Sequence, residues 1–557
     1  MNLSSGQNRS TWVSDFETTT DPDDCRVWAW AVCNVDDYDH IEIGNSIESF
    51  ISWCSGRNSV VYFHNLAFDG SFILDYILRD GFVHVDGRPR SGDFSTLISD
   101  TGKFYSITVR WYNGNLTEFR DSIKKLPMSV SNVAKAFDLE EVKGEIDYHA
   151  PRPVGHVLTD EEKDYIIADV KIVAKAIATQ LNQGMKKLTV GSDSLHEFKT
   201  MMGKREFSRL FPLLPLDADA EIRAAYRGGW TYADERTRAR VVGRGRAYDV
   251  NSLYPYVMRS AVLPYGEPVF VPGVPEPSAA YPLFVTSVTM TARLKSNHLP
   301  CIQIKKSPFF VGTEYQKNIS EPTTVFCTNV DLDLWSEHYD LDILSYNGSW
   351  MFHGATGMFD DYVDKWSKIK ENETGGLRAI AKLHLNSLYG KFATNPHVTP
   401  KIPVLENDRV NLVLGSEDER SPVYTAMGVF ITAYARDKTI RAAQKHYDSF
   451  LYADTDSLHL LCEDNPTTLD IDPKRLGAWK HEYTFKKALF ARAKAYTVQL
   501  EDDSYVTHIA GLPDTVAKSV RFDDYKSGKT FRGKLQPKRV PGGIVLEDVG
   551  FTLQKLI

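Results

Sequence analysis

A multidomain chain of α/β and α+β construction is the fold class that this sequence predicts, and three features predict it. The 557 residues suffice for about three or four domains. Roughly the first 190 residues alternate short apolar strands with helical patterns, as an α/β unit does. Beyond Ala261 the texture turns to proline-punctuated β runs, then to helices, then to β again, which reads as segregated modules interrupted by insertions.

In chain order, Ser10 to Thr20, Val27 to Val35 and Ser59 to His64 read as strands from their apolar, β-branched and aromatic content. Asp160 to Gln180 reads as a helix, with Thr159 as N-cap and Glu162 at capping-box spacing. Pro264, Pro268, Pro272, Pro275, Pro277 and Pro282 open an interval, Ala261 to about Gly357, that continues in short β-like runs. Asp360 to Phe392 returns to helical periodicity, broken at Thr374-Gly375-Gly376. Asn395 to Pro422 is a second proline-flanked excursion with short strands. Ser421 to Ile471 is β-rich, and Pro541-Gly542-Gly543 places a last hairpin over Pro537 to Val549.

Hydrophobic content of 42% and charged content of 25% fit a soluble globular chain with a substantial core. There is no apolar run of about 18 residues, so no membrane span is expected. The first residues lack the apolar stretch of a secretory signal. Cys25, Cys33, Cys54, Cys301, Cys327 and Cys462 form neither a CxxC pair nor a Cys/His cluster, so no zinc site or disulfide framework is expected, and a reducing cytosol is. A net charge of −8 is no advantage for polyanion binding, which needs a local basic surface instead. Two are on offer. One is Arg236, Arg238, Arg240, Arg244 and Arg246. The other is the stretch 516–557, with nine cations (Lys555 among them) against four acids, a net of +5. Either could equally be a solvated charged face.

Chemistry concentrates in carboxylates. Tyr452-Ala453-Asp454-Thr455-Asp456-Ser457 sits in an apolar, aromatic run that reads as strand, turn and strand. Positions i and i+2 of an extended segment share a face, so Asp454 and Asp456 project together where unpaired charge is costly. A hard divalent cation held through oxygen is one resolution, and an Asp-rich turn is the other. Tyr248-Asp249-Val250-Asn251-Ser252-Leu253-Tyr254-Pro255 puts another carboxylate at a strand end. On a helix, Lys382, Asn386 and Tyr389 fall at i, i+4 and i+7, with Arg378 one turn earlier, a face suited to a triphosphate and a stacked base. Nearer the N-terminus, Asp15 and Glu17 stand at i and i+2 of a strand, His64-Asn65-Leu66-Ala67-Phe68-Asp69 adds a third carboxylate, and Tyr165 and Asp169 lie at i and i+4 of a helix. Singly, each of these last reads as strand-end charge, Asx turn or helix surface.

The order DxxSLYP, KxxxNSxYG, YxDTDS resembles motifs A, B and C of family B DNA polymerases, most nearly the protein-primed enzymes of small Bacillus-type (salasvirus-like) phages. The likeness extends to Tyr226-Arg227-Gly228-Gly229 and Lys494-Ala495-Tyr496 and covers essentially the whole chain. It implies an RNase H-like 3′–5′ exonuclease domain (1–188) and a right-hand polymerase: palm (189–260 and 422–510), fingers (358–394) and thumb (511–557). Two terminal-protein-region insertions (261–357 and 395–421) complete it. It also implies two Mg²⁺ per active site, with Mn²⁺ as a substitute. Asp249 and Asp456 would be the polymerase ligands, helped by the Val250 carbonyl, and Asp454 a tuning neighbour. Lys370, Arg378 and Lys382 would hold the triphosphate, Tyr254 would exclude a 2′-hydroxyl, and Asn386 and Tyr389 would pack beside the nascent pair.

By the same resemblance, Asp15, Glu17, Asp69 and Asp169 would hold the exonuclease metals, Tyr165 would orient water, and Lys143 would stand nearby. His64, Asn65, Phe68, Ser122 and Ile123 would hold a frayed strand. Tyr226, Arg227, Gly228 and Gly229 would partition the primer, and Lys494 and Tyr496 would contact its end. Lys305, Lys306, Tyr315 and Asp331 fall at family-like places in the first insertion. Implied partners are template and primer DNA, dNTPs, a terminal protein whose hydroxyl primes synthesis, and a single-stranded DNA-binding protein. The chain would act in the cytoplasm of an infected bacterium, as a monomer or paired with the terminal protein, without a membrane. The alternatives are a template-primed family B polymerase, a catalytically silent DNA-binding scaffold, and RNA synthesis. Two departures stand out: the stretch from Tyr496 to Gly511 is short for the family, and isoleucine replaces leucine at 123.

Overall fold

The structure is a computed structural model and describes residues 9–553 apart from Lys306. Its first unit is built on an eight-stranded mixed sheet. Ser10–Thr18 lies at its heart, antiparallel to Val27–Asn34 and parallel to Ser59–Phe63, which in turn runs parallel to Leu116–Asp121. Alternation sorts the two faces. Trp12 and Phe16 join Phe50, Phe63 and Phe72 under helices Ile47–Ser55 and Leu66–Arg79. Val13, Trp28 and Cys33 instead pack with Ile166, Val170 and Val173 of helix Asp160–Asn182. That helix opens with the expected capping box, Thr159 and Glu162 satisfying each other's backbone N–H groups. Asp15 and Glu17 share the parity of Val13, so they too face the side of Asp160–Asn182.

The second large sheet is antiparallel throughout. Its order is Tyr505–Ile509, Ala495–Leu500, Trp479–Arg492, Gly245–Val250, Ser457–Leu460, Phe450–Asp454 and Thr231–Ala233, with Val241–Val242 pairing Trp479–Arg492. Helix Thr425–Lys445, buried along much of its length, backs this sheet. Asp360–Asn372 and Gly375–Phe392 form a helix pair whose break falls at the expected glycines, and Val190–Met202 packs against the second of them.

Both excursions are self-contained. The first folds as a four-stranded sheet in the order Leu263–Val271, Tyr339–Ala355, Leu283–Leu294, Asn318–Thr328, with helix Asn329–His338 against it. The second carries the hairpin Lys401–Glu406/Arg409–Leu414, turned by Asn407 and Asp408 in left-handed backbone. Its tip is tied to the first unit: Arg79 Nη1 lies 2.6 Å from Asp408 Oδ1. The C-terminal hairpin Leu535–Val540/Gly543–Asp548 packs on the same helix, Leu66–Arg79. Gly542 there has φ +88°, and a Cβ on it would overlap the Cys25 carbonyl, so the turn needs glycine twice over. Second insertion and C-terminal hairpin thus meet on one helix of the first unit. Among the described residues no helix is long and apolar enough to cross a membrane.

Candidate active sites

The hairpin Phe450–Asp454/Ser457–Leu460 brings Asp454 opposite Ser457, and Ser457 in turn pairs with Asp249 at the end of Gly245–Val250. The Val250 N–H donates to the Asp456 carbonyl at 2.8 Å. Strand pairing alone therefore sets Asp249 and Asp456 side by side. Burial pushes the Asp249 carboxyl up to about 7, and the charges of Asp456 and Glu482 add to it. Asp456 is raised for the same reason, with Asp454 contributing.

The hairpin tip is strained. Thr455 is β-branched yet sits at φ +61°. Three contacts hold it there: its N–H donates to the Trp230 carbonyl at 2.8 Å, its carbonyl accepts from Thr439 Oγ1 at 2.7 Å, and its side chain fills the space left by Gly229. A Cβ at 229 would overlap that side chain. If the activities implied by the resemblance hold, Gly229→Ala should displace the tip and slow single-turnover nucleotide incorporation on the order of a hundredfold while sparing 3′→5′ degradation. Incorporation at the unaltered rate would show that the tip does not set the site.

Asp454 differs from its partner. Its oxygens take an ion pair from Lys494 (Nζ to Oδ2, 2.5 Å) and a hydrogen bond from Thr231 Oγ1 at 2.9 Å. It is occupied by a protein cation and hydroxyl donors, whereas Asp249 meets the charge of Asp456. Lys494 is thereby held over the carboxylates at the mouth of the pocket that Asp454, Asp456 and Tyr496 line.

On Gly375–Phe392, Arg378, Lys382 and Asn386 are exposed and Tyr389 half-buried, along one face. Lys370 joins them from the preceding helix and donates to Ser252 Oγ at 2.8 Å, while Arg378 Nη1 donates to the Lys370 carbonyl at 2.8 Å. Burial, then the charges of Lys382 and Arg378, lower the Lys370 pKa. Such mutual repulsion is what a polyphosphate relieves. Tyr254 stacks on Tyr389 with ring centroids 3.9 Å apart, and Tyr226 lies close enough to both to raise their hydroxyl pKa values further.

Two expectations about Tyr226-Arg227-Gly228-Gly229 need correction. Arg227 is only 6% exposed; it donates to the Gln303 and Ala225 carbonyls and lies over the Trp335 ring. It ties the loop to the first insertion and presents no charge to a ligand. Gly229 is small for Thr455 rather than for DNA. Gly228 alone opens onto free space. Arg436 fixes this backbone by donating to the carbonyls of Arg227 (2.7 Å) and Gly228 (3.1 Å), and it pairs with Asp331 at 2.7 Å. Asp331 is thus an internal ion-pair partner, held low by Arg436 against its own burial, and not a surface contact. Tyr315 also points inward, its hydroxyl accepting from the Thr231 N–H at 3.2 Å. Lys305 is exposed, and Lys306 lies outside the described residues.

In the first unit, Asp15 and Glu17 face helix Asp160–Asn182, which carries Tyr165 and Asp169 one turn apart. Asp69 enters from the first turn of Leu66–Arg79, behind Asn65 at φ +82°. Burial lifts Asp15 to about 7, with the Asp169 charge adding. Glu17 and Asp69 are pushed well up by burial and by their carboxylate neighbours. Lys143 is ion-paired with Asp169, which outweighs the effect of its burial and raises its pKa. The Lys143 ammonium lies 5.3 Å from the Tyr165 ring centre. Among the described residues no three His, Cys, Asp or Glu side chains are grouped to hold a metal ion unaided. The quartet is assembled in charge but not closed into a ligand cage. Asp69 Oδ1 and Asp169 Oδ1 are nevertheless buried without a hydrogen-bond partner. Orphaned hard oxygens of this kind fit a divalent cation, so the donor set suits Mg²⁺.

His64 and Ser122 also need reassignment. Both ring nitrogens of His64 are used, on Ser122 Oγ at 2.9 Å and the Met128 carbonyl at 2.8 Å, and Ser122 is fully buried. They brace the loop. Asn65, exposed, and Phe68 and Ile123, half-buried, remain available to a strand. Of the arginine cluster, Arg236, Arg244 and Arg246 are paired with Asp234, Glu463, Glu501 and Asp464, so most of that charge is spent internally. In the C-terminal segment Lys529 and Lys538 are paired. Lys555 lies outside the described residues. Tyr148 escaped sequence reasoning. It is half-exposed, and its hydroxyl lies 2.7 Å from that of Tyr165. Its aperiodic loop offers no signal; only the fold brings it to the helix.

The family of type B DNA polymerases, organellar and viral, matches residues 53–154 and 151–471. The DNA polymerase of Bacillus phage Nf is 44% identical, covering 98% of this chain and 100% of that protein. That of Bacillus phage phi29 is 43% identical over 98% and 99%, and that of Streptococcus phage Cp-1 is 33% identical over 98% of each. The solved structure of phi29 DNA polymerase complexed with primer-template DNA and incoming nucleotide substrates matches with a TM-score of 0.94 at 42% identity, covering 98% of this chain and 100% of that one. Likeness of this extent, over a chain that folds into the two carboxylate-bearing sheets described, makes it a DNA polymerase belonging to the organellar and viral type B family.

Proposed function

We propose that this polymerase extends DNA primers with dNTPs at Asp249 and Asp456, starts synthesis on a protein hydroxyl, proofreads 3′→5′ at Asp15, Glu17, Asp69 and Asp169, and displaces the strand ahead. The observation that carries it is the presence, on two separate sheets of one chain, of two sets of carboxylates raised by burial and by neighbouring carboxylate charge. The relatives aligned over nearly their whole length support the same reading.

For synthesis, Asp249 and Asp456 with the Val250 carbonyl would hold a pair of Mg²⁺ or Mn²⁺ ions. When bound, such ions would supply Lewis-acid chemistry, favouring the ionised primer hydroxyl and stabilising charge that develops on the phosphoryl group. Lys370, Arg378 and Lys382 orient the triphosphate, and binding it relieves their mutual repulsion. Tyr254 is clamped by its stack on Tyr389, so its ring cannot swing aside for a 2′-hydroxyl. Lys494 both neutralises Asp454 and faces the primer end.

At the other site, the orphaned oxygens of Asp69 and Asp169 join Asp15 and Glu17 as cation ligands. Tyr165, fixed by Tyr148, orients the attacking water. Asn65, Phe68 and Ile123 hold the frayed end.

The domain map is 1–188 exonuclease, 189–260 and 422–510 palm, 358–394 fingers and 511–557 thumb. The insertions 261–357 and 395–421 serve the terminal protein and strand displacement. The contact of the second insertion and the C-terminal hairpin on helix Leu66–Arg79 supports a closed path for DNA. Two of the solved relatives are complexes with primer-template DNA and with single-stranded DNA, which supports the same ligands here. The setting is the cytoplasm of an infected bacterium, alongside a single-stranded DNA-binding protein.

Priming is tested with candidate terminal protein, one labelled dNTP, template and Mg²⁺. A labelled covalent protein–nucleotide product is expected. If extension of DNA primers proceeds but no such product forms, the enzyme is template-primed.

A further inference from the structure

One carboxylate outside both acidic sites is shared by the two helices that carry the lysine and arginine face. It belongs to Glu197, on helix Val190–Met202, which packs against the pair Asp360–Asn372 and Gly375–Phe392. The first helix of the pair brings two donors to it. Lys365 is ion-paired with Oε1, and the Trp366 indole N–H donates to Oε2 at 3.0 Å. From the second helix, His384 Nδ1 lies 3.2 Å from the same Oε2. Trp366 and His384 are each 2% exposed, and their ring centroids are 4.3 Å apart. The buried Tyr362 completes the join by donating its hydroxyl to the His384 carbonyl at 3.1 Å.

Burial alone would raise the Glu197 pKa, but His384 and Lys365 outweigh it and hold the carboxyl low, so it is ionised at working pH. Removing it would leave the Trp366 N–H a buried donor without its acceptor. The contacts also fall in telling places. Successive helical residues turn by about 100°, so His384, two residues after Lys382, faces away from the side that carries Arg378, Lys382 and Asn386. Trp366 stands one turn before Lys370. Glu197 therefore holds the second helix from behind and the first one turn from its lysine. Lys370, Arg378 and Lys382 meanwhile repel one another until an anion joins them. A tether on the far side keeps the three converged in advance, which lowers what the ligand must spend on ordering them.

We propose that Glu197 is a positioning residue for the incoming nucleotide: by holding Lys365 and Trp366, and through the Trp366 ring His384, it sets the approach of Lys370, Arg378 and Lys382 to the triphosphate. This rests on the reading of those cations as triphosphate contacts, and the test separates the two.

The full chain is assayed with recessed primer–template DNA, Mg²⁺ and varied dNTP. Glu197→Ala should raise the KM for dNTP about three- to tenfold and leave kcat within about twofold, because no group that meets the reacting atoms is altered. The KM for primer–template should not change. Glu197→Gln keeps an acceptor for Trp366 and loses the charge facing Lys365, so its dNTP KM should fall between those of Glu197→Ala and the parent. Trp366→Phe keeps the ring against His384 and deletes the link. It should raise the dNTP KM in part, and combined with Glu197→Ala it should add nothing to the single loss. Lys382→Met reports on the underlying reading. If it leaves the dNTP KM unchanged, the triphosphate face falls and this inference with it. If Lys382→Met raises that KM while Glu197→Ala and Glu197→Gln match the parent, the positioning role is overturned and the face stands. An equal rise in the KM for primer–template, or a Trp366→Phe loss that multiplies with that of Glu197→Ala, also overturns it.

Discussion

On the proposed two-site reading, Asp249→Ala or Asp456→Ala should remove nucleotide incorporation, by at least about a hundredfold, and leave 3′→5′ degradation of single-stranded DNA within a factor of about two. Asp15→Ala with Glu17→Ala should do the reverse. Each pair loses a carboxylate whose raised pKa comes from burial beside like charge, which is the environment a divalent cation stabilises. The two pairs belong to different sheets, so neither substitution need disturb the other site. Removing surplus negative charge from a buried position should not unfold the chain, and an unchanged or raised melting temperature accompanies the loss. Steady-state incorporation and degradation, measured on the same preparations, decide the matter. Loss of both activities in both variants, with melting unchanged, sinks the two-site reading.

Lys125→Met should destabilise the protein by about 3–5 kcal/mol. Lys125 has no exposed surface, and its ammonium donates to the Met185 and Lys187 carbonyls at 3.0 and 3.1 Å and to Asp193 Oδ2 at 2.5 Å. Burial lowers its pKa and Asp193 opposes that shift, so the pair stands or falls together. Methionine fills the same space but leaves the Asp193 carboxylate buried without its cation. Asp193 also accepts from the Lys187 N–H at 2.8 Å, at the start of helix Val190–Met202, which packs against the helix that carries Arg378 and Lys382. The pair therefore bolts the loop bearing Ser122 and Ile123 to the start of helix Val190–Met202. Urea unfolding gives the expected drop, and Lys125→Met with Asp193→Leu recovers most of it. A single variant as stable as the parent shows that the pair contributes nothing net.

Local pattern was enough for much of this. The strand at Ser10–Thr18, the capped helix Asp160–Asn182, the helix break at Gly375 and the final hairpin each follow from signals within a few residues. So do the carboxylates at i and i+2. Direction was less legible. Arg227, His64, Ser122 and Asp331 look from their types and motifs like ligand contacts, yet each spends its polar atoms inside the protein. A motif preserves a residue equally well for holding a loop as for touching a substrate, and only partners distant in sequence tell the two apart.

The sequence by itself determined the kind of protein: the order and spacing of its carboxylates, lysines and tyrosines are properties of one dimension, set by period-2 and period-3.6 geometry. The tertiary structure alone decided what each charge is worth. Asp454 and Asp456 are two residues apart and chemically identical, but Lys494, forty residues on, is ion-paired with the first, while the second lies beside Asp249 and raises its pKa. Electrostatic energy depends on separation and burial in three dimensions, and neither can be read from distance along the chain.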